Sequence, residues 1–78
     1  MPKVNKEKVT LRDLGIALNS VLEGEAKVDL DAGVNMKAIN VGIAKAVAKT
    51  GKELPKNLHY PAETLAEATD VVNFIIEA

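Results

Sequence analysis

The sequence contains no cysteine and no tryptophan, and it has a single tyrosine, phenylalanine and histidine. Without cysteine, neither a disulfide nor a thiolate metal site can form. One histidine cannot supply a histidine cluster, so we expect no bound metal and no cofactor. Aromatic side chains on which nucleic-acid bases stack are equally scarce. These absences favour a protein that depends on helix packing and noncovalent binding.

Long apolar runs and a surplus of one charge are also missing. No segment approaches the roughly 18 apolar residues that a membrane span needs. Residues 1–8 are polar and no signal-peptide core follows them, so we expect a cytoplasmic protein. The net charge of −1, from 10 basic and 11 acidic side chains, gives no basic surplus, and Arg12 is the single arginine. We therefore expect no membrane partner and little affinity for nucleic acid.

The chain length predicts one small helical domain over residues 1–78. A chain this short buries only about 60% of its unfolded surface, so it depends on regular helix packing or on partner subunits. Residues 1–9 are rich in lysine, and this composition predicts a flexible basic arm. The alternative is that the arm contacts phosphates or an acidic partner.

Apolar periodicity predicts helices and no strand, with the helices over residues 10–23, 29–50 and 61–77. Thr10 and Asp13 have the spacing of a capping box at the first helix. Asp29 is the predicted cap of the second helix, which Gly51 ends. Pro61 fits the first turn of the third helix. The predicted fold class is all-α, either a three-helix bundle or a helical hairpin with a third helix.

The second predicted helix is apolar around most of its circumference, as is typical of a helix covered on several sides. Ala38, Gly42 and Ala46 lie four residues apart and form a row of small side chains that lets another helix approach closely. That other helix belongs either to the same chain or to a second copy across a two-fold axis. The apolar C-terminal segment, with Phe74 and Ile75, also needs covering. We expect a homo-oligomer that self-associates through these five residues.

Five residues form the predicted ligand- or partner-binding set. Lys45, Lys49 and Lys52 share one side of the second helix, where they suit phosphates or an acidic partner. They are equally consistent with an ordinary solvated edge of that helix. His59 and Tyr60, in the following loop, offer polar edges with some apolar area. No nucleophile is spaced to work with His59, so we predict no catalytic residue and no enzyme.

Residues 11–49 combine an amphipathic first helix, a Leu-x-Gly-acid sequence, a short link to a capping aspartate, and an alanine-rich helix with an Ile-Asn pair. These features are carried by Leu22, Gly24, Glu25, Asp29, Ala32, Ile39 and Asn40. In them the chain resembles small helical accessory proteins encoded by phages and prophages, many without an assigned function. The resemblance implies a viral protein in the cytoplasm of an infected bacterial host cell. It also implies binding to a host regulatory or defence component, and no functional residue carries over from it.

Three functions follow in order of preference. The first is non-enzymatic binding of a host protein. The second is binding or sequestration of a small anionic ligand, such as a nucleotide, at subunit junctions of an oligomer lined by the lysines and the His59–Tyr60 loop. The third is a small DNA-associated regulator, which the net charge disfavours.

Overall fold

Three α-helices carry the fold. A computed structural model describes residues 8–77, so nearly all of the predicted arm over residues 1–9 lies outside the described residues. The helices are α1 (Leu11–Asn19), α2 (Met36–Thr50) and α3 (Leu65–Ile76), and a short 3-10 helix spans Gly24–Ala26. Residues 8–77 contain no strand, and none of their helices is long and apolar enough to cross a membrane. The all-α prediction is confirmed.

Each of the three helices packs against the other two, and the apolar core lies where they meet. Its largest side chains are fully or almost fully buried: Leu14, Leu18, Leu22, Ile39, Ile43, Val71, Val72 and Ile75. The buried polar residue among them is Thr69, whose hydroxyl donates to the backbone oxygen of Leu65 at 2.6 Å. Because this hydroxyl has its acceptor, its burial leaves no unsatisfied polar atom in the core.

The start of α1 is as predicted, and its end is not. The hydroxyl of Thr10 accepts from the backbone N–H of Asp13 at 3.2 Å, and the Asp13 carboxylate accepts from the backbone N–H of Thr10 at 3.0 Å. The helix then ends at Asn19, not at residue 23. The side chain of Asn19 binds the backbone of Val28 instead of facing solvent. This contact turns the chain away from the helix axis.

The predicted start of α2 at Asp29 is wrong. The helix begins at Met36, and the side chain of Asn35 caps it by accepting from the backbone N–H of Ala38 at 2.8 Å. Gly33 has a φ of 81°, a left-handed conformation that a helix interior does not allow. The Asp29 carboxylate instead caps a local turn by accepting from the backbone N–H two residues on, at 3.0 Å. Two good capping residues compete in this segment, and the later one starts the helix.

The segment of residues 26–35 folds over α1 instead of extending α2. A Cβ atom on Gly15 would lie 2.9 Å from Leu30 Cδ2 and 3.3 Å from Val28 Cγ1. These two side chains therefore pack directly on the α1 backbone, because Gly15 has no side chain to occupy that space. The chain itself covers part of the apolar surface from which a homo-oligomer was predicted.

The predicted start of α3 at Pro61 is also wrong. The helix begins after Thr64, which forms a reciprocal capping box with Glu67 at 3.1 and 3.2 Å. The side chain of Asn40 in α2 accepts from the backbone N–H of Ala62 and donates to its backbone oxygen, both at 2.9 Å. Because the Asn40 side chain binds both the backbone N–H and the backbone oxygen of Ala62, it fixes the loop that precedes α3 to α2.

Candidate functional site

The five residues predicted to bind a ligand or partner do not come together in one site. The Lys49 ammonium donates to the backbone oxygen of Val21 at 2.6 Å and lies 3.3 Å from the carboxylate of Glu23. Both contacts join the end of α2 to the turn that follows α1. Lys49 therefore serves as a link between two helices.

Lys52, just after the end of α2, contacts the C-terminus of α3. Its ammonium donates to the backbone oxygens of Phe74 at 3.2 Å and Ile75 at 3.1 Å, and also to that of Glu77. The same ammonium lies 5.6 Å from the centre of the Phe74 ring. A cation here satisfies carbonyls at the C-terminus of α3, where the helix dipole is negative. The spacing that placed Lys52 beside Lys49 did not reveal this contact.

His59 and Tyr60 support the loop before α3. The Nε2 atom of His59 lies 3.0 Å from the Glu63 carboxylate, and its Nδ1 atom lies 3.9 Å from the Glu67 carboxylate. The hydroxyl of Tyr60 donates to the backbone oxygen of Asn40 at 3.0 Å. These contacts hold the loop against α2 and the start of α3, and neither residue lines the groove described below.

Gly42, in the middle of the row of small residues on α2, packs against Leu18 of α1 in the same chain. A Cβ atom on Gly42 would lie 3.0 Å from both Leu18 Cδ1 and Val28 Cγ2, and Ala46 is fully buried. The close approach that this row permits is therefore made inside the monomer. Of the two alternatives for the row, the intramolecular one accounts for Gly42 and Ala46.

The other predicted self-association residues are either buried in the core or half-buried. Ile75 is only 2% exposed and belongs to the core, so an interface through it would require the core to open. Phe74 is half-buried beneath the Lys52 ammonium. Ala38 is half-buried and lines a groove. Self-association through Gly42, Ala46 and Ile75 does not fit this burial, and a homo-oligomer stays a prediction that would need other surfaces.

A groove with a volume of about 310 Å³ lies where the segment of residues 26–35 passes α2. Small and apolar residues form most of its lining: Ala26, Val28, Ala32, Gly33, Ala38, Val41 and Gly42. Polar and charged residues complete it: Lys27, Asp29, Asn35, Lys37 and Lys45. Of the five predicted binding residues, Lys45 alone belongs to this groove.

The charges of this groove are predominantly positive. Three lysines and one aspartate line it, and all four residues are exposed. Within residues 8–77, Lys27, Lys37 and Lys45 make no ion pair, whereas Lys49 pairs with Glu23. Their charges are therefore available to an anionic group that enters the groove.

The α2 wall presents an ordered row of three of these residues. Lys37, Val41 and Lys45 are spaced by four, so they lie on one side of the helix with the apolar residue between the two cations. The Val41 side chain is 46% exposed. Eight residues of helix separate the two lysines by about 12 Å along the axis.

Sequence reasoning missed Lys27 and Val41 and left Lys37 out of the binding set. The spacing of four residues from Lys37 to Val41, and again from Val41 to Lys45, would have identified the α2 wall. No sequence signal identified the opposite wall, because that wall exists only if α2 begins after residue 35.

Other kinds of site are not formed by the described residues. Among residues 8–77, no group of three or more histidine, aspartate or glutamate side chains is placed to hold a metal ion. No buried side-chain nitrogen or oxygen atom in that range lacks a hydrogen-bond partner. The groove is therefore the surface from which a function can be argued.

Comparison with known proteins identifies no relative: no protein-family model matches this sequence, and no curated protein or solved structure shows significant similarity to it.

Proposed function

We propose that this chain is a non-enzymatic binding protein and that a partner protein docks in the groove between α2 and residues 26–35. The observation that carries this proposal is the exposed side chain of Val41 between two lysines that have no ion-pair partner within residues 8–77. An apolar centre with a polar rim is the usual arrangement of a protein interface.

The rigidity of the α2 wall supports the same proposal. Ile39, Ile43 and Ala46, on the inner side of α2, are fully buried. The opposite wall is tied down by the side chain of Asn19, which binds both backbone polar groups of Val28. A preformed surface loses little conformational entropy when a partner binds, so even a small groove can give useful affinity.

His59 and Ser20 form hydrogen bonds with different parts of the chain and are not paired as base and nucleophile, which supports binding over catalysis. His59 lies against two carboxylates at the start of α3. The hydroxyl of Ser20, the single serine, donates to the backbone oxygen of Ala17 at 2.6 Å.

The resemblance of residues 11–49 to phage and prophage accessory proteins supplies the biological setting of the proposal. In that setting the protein acts in the cytoplasm of a bacterial host cell, and its partner is a host regulatory or defence protein. The groove supplies the physical means of binding, and the resemblance supplies the kind of partner.

Capture from bacterial lysate tests the proposal. The immobilised chain should retain one host protein in stoichiometric amount, and the Val41→Asp variant should lose it because a charge replaces the apolar contact. Lys56→Glu is the matched control, since Lys56 is exposed and lies outside the groove. Retention of the same protein by Val41→Asp, or the absence of any stoichiometric protein, would refute docking in this groove.

A second candidate is a small anionic ligand such as a nucleotide. The volume of about 310 Å³ lies at the lower end of the range for small-molecule sites, which favours this alternative. A nucleotide that binds here should raise the melting temperature by linkage, and Lys45→Glu should abolish that rise. In this alternative the His59–Tyr60 loop would come from a second copy of the chain.

A further inference from the structure

The dimensions of the groove restrict the conformation of what enters it. The groove is small, with a volume of about 310 Å³. A helix with its side chains is about 10–12 Å across. An extended chain is much narrower, since strands pack about 4.8 Å apart. The groove therefore suits an extended segment better than a helix.

The spacing of Lys37, Val41 and Lys45 on α2 restricts the sequence of that segment. In an extended chain every second side chain faces the same way, and each residue advances about 3.3 Å. Two side chains that flank a central one at positions −2 and +2 therefore lie about 13 Å apart on one face. This distance matches the roughly 12 Å between the two lysines, with Val41 at the midpoint.

We propose that the groove binds an extended acidic segment of a partner protein in which one apolar residue is flanked, two positions away on each side, by carboxylates. This inference rests on the proposed function and names the chemistry of the partner. The central apolar side chain contacts Val41, which is exposed and lines the groove. The two carboxylates pair with Lys37 and Lys45.

The opposite wall fits the same occupant. Lys27 adds a third positive charge, and Asp29 is the single acidic residue in the lining. One oxygen of the Asp29 carboxylate accepts a hydrogen bond from the backbone two residues on. The net charge of the lining is thus positive, and an acidic segment is electrostatically complementary to it.

A peptide titration tests the inference on the full chain. The probe is acetyl-Gly-Asp-Ser-Leu-Ser-Asp-Gly-amide, followed by proton–nitrogen correlation spectra of the isotope-labelled protein. The matched control is acetyl-Gly-Ser-Asp-Leu-Asp-Ser-Gly-amide, which has the same composition but directs its carboxylates away from the leucine face. We expect a Kd on the order of 0.1–1 mM for the probe, because a short flexible peptide loses much entropy on binding. The control should bind about threefold to tenfold more weakly.

Charge reversals locate the contacts. Lys37→Glu and Lys45→Glu should each weaken probe binding about threefold to tenfold, whereas Lys56→Glu should leave it unchanged apart from a small long-range effect. A probe in which one aspartate is replaced by lysine should regain affinity for Lys45→Glu. Raising the salt concentration should weaken binding of the original probe.

Several results would overturn the inference. Equal binding of probe and control would contradict the proposed spacing of the carboxylates. The absence of chemical-shift changes at millimolar probe would exclude an acidic segment as the occupant of the groove. Two further results would assign the groove to another occupant: shifts of the groove amides with adenosine monophosphate but not with the probe, or shifts of the same amides on dilution of the protein alone. If the probe fails while capture of a host protein still depends on Val41, the inference fails and the proposed function stands.

Discussion

Replacing Asn19 by alanine should cost about 2–3 kcal/mol of unfolding free energy. The side-chain amide nitrogen of Asn19 donates to the backbone oxygen of Val28 at 3.0 Å, and its amide oxygen accepts from the backbone N–H of Val28 at 2.7 Å. Val28 is only 9% exposed, so water cannot readily replace either bond. Each lost bond contributes about 1 kcal/mol, and the poorly hydrated backbone groups left behind raise the total.

This loss is large for the present chain. Proteins gain about 0.05–0.15 kcal/mol of stability per residue, so 78 residues imply roughly 4–12 kcal/mol. In a domain of this size a change of 1 kcal/mol moves the melting temperature by about 4–8 °C. The Asn19→Ala variant should therefore melt about 8–24 °C below the wild type.

Urea unfolding followed by circular dichroism measures the difference, with linear extrapolation to water. Asn57→Ala is the matched control, because Asn57 is exposed and no hydrogen bond of its side chain is seen within residues 8–77. Asn19→Asp should not restore the lost stability, since it keeps the acceptor for the Val28 N–H but places a carboxylate oxygen against the Val28 carbonyl oxygen. A loss below about 0.5 kcal/mol for Asn19→Ala, the level of an ordinary surface substitution, would refute the assignment of Asn19 as the residue that fixes the groove wall.

Three further substitutions test the packing and the helix ends. Gly42→Val should lower the unfolding free energy by about 1–3 kcal/mol, because the added atoms meet packed side chains. The control Ala44→Val, at an exposed position of the same helix, should lower it by about 0.5 kcal/mol. Equal losses in urea unfolding would contradict the close contact at Gly42. Lys52→Met should cost about 1 kcal/mol more than Lys56→Met, because the Lys52 ammonium donates to backbone oxygens at the end of α3. Equal melting temperatures for the two variants would count against that role. Thr64→Ala should cost about 1 kcal/mol and increase amide hydrogen exchange in the first turn of α3, and unchanged exchange there would show that the helix starts elsewhere.

The predicted binding set shows why lysine spacing on one helix was insufficient. Lys45, Lys49 and Lys52 share a side of α2, but two of them reach backbone oxygens of other elements. Which carbonyl lies within reach of a long side chain depends on how the helices cross. A spacing pattern on one helix does not contain this information.

The homo-oligomer prediction started from a second helix, expected over residues 29–50, that is apolar around most of its circumference, and from the apolar C-terminal segment. A helix from residue 29 would have presented more apolar surface than two neighbours can cover. The structure starts the helix at Met36 and uses Leu30 and Val28 to cover α1. The sequence analysis recognised that this segment is apolar, but it wrongly predicted that the segment is helical.

The sequence alone determined the helical class, the number of helices and several of their ends. These features follow from local rules: apolar spacing near 3.6 residues, the Thr10–Asp13 capping box, and a left-handed Gly51 after the last turn of α2. Each rule involves residues within one or two turns of each other, so each can be recognised without knowing the fold.

Only the tertiary structure decided where α2 and α3 begin and where the groove lies. Asn19 binds Val28, and Asn40 binds Ala62, across loops whose ends are distant in sequence. These side chains bind backbone groups of the loops that precede α2 and α3, so they hold those loops in place beside the helices. The groove exists because one such contact holds residues 26–35 beside α2. The charge and shape of the groove are therefore properties of the folded chain, although the sequence shows Lys37, Val41 and Lys45 at intervals of four residues.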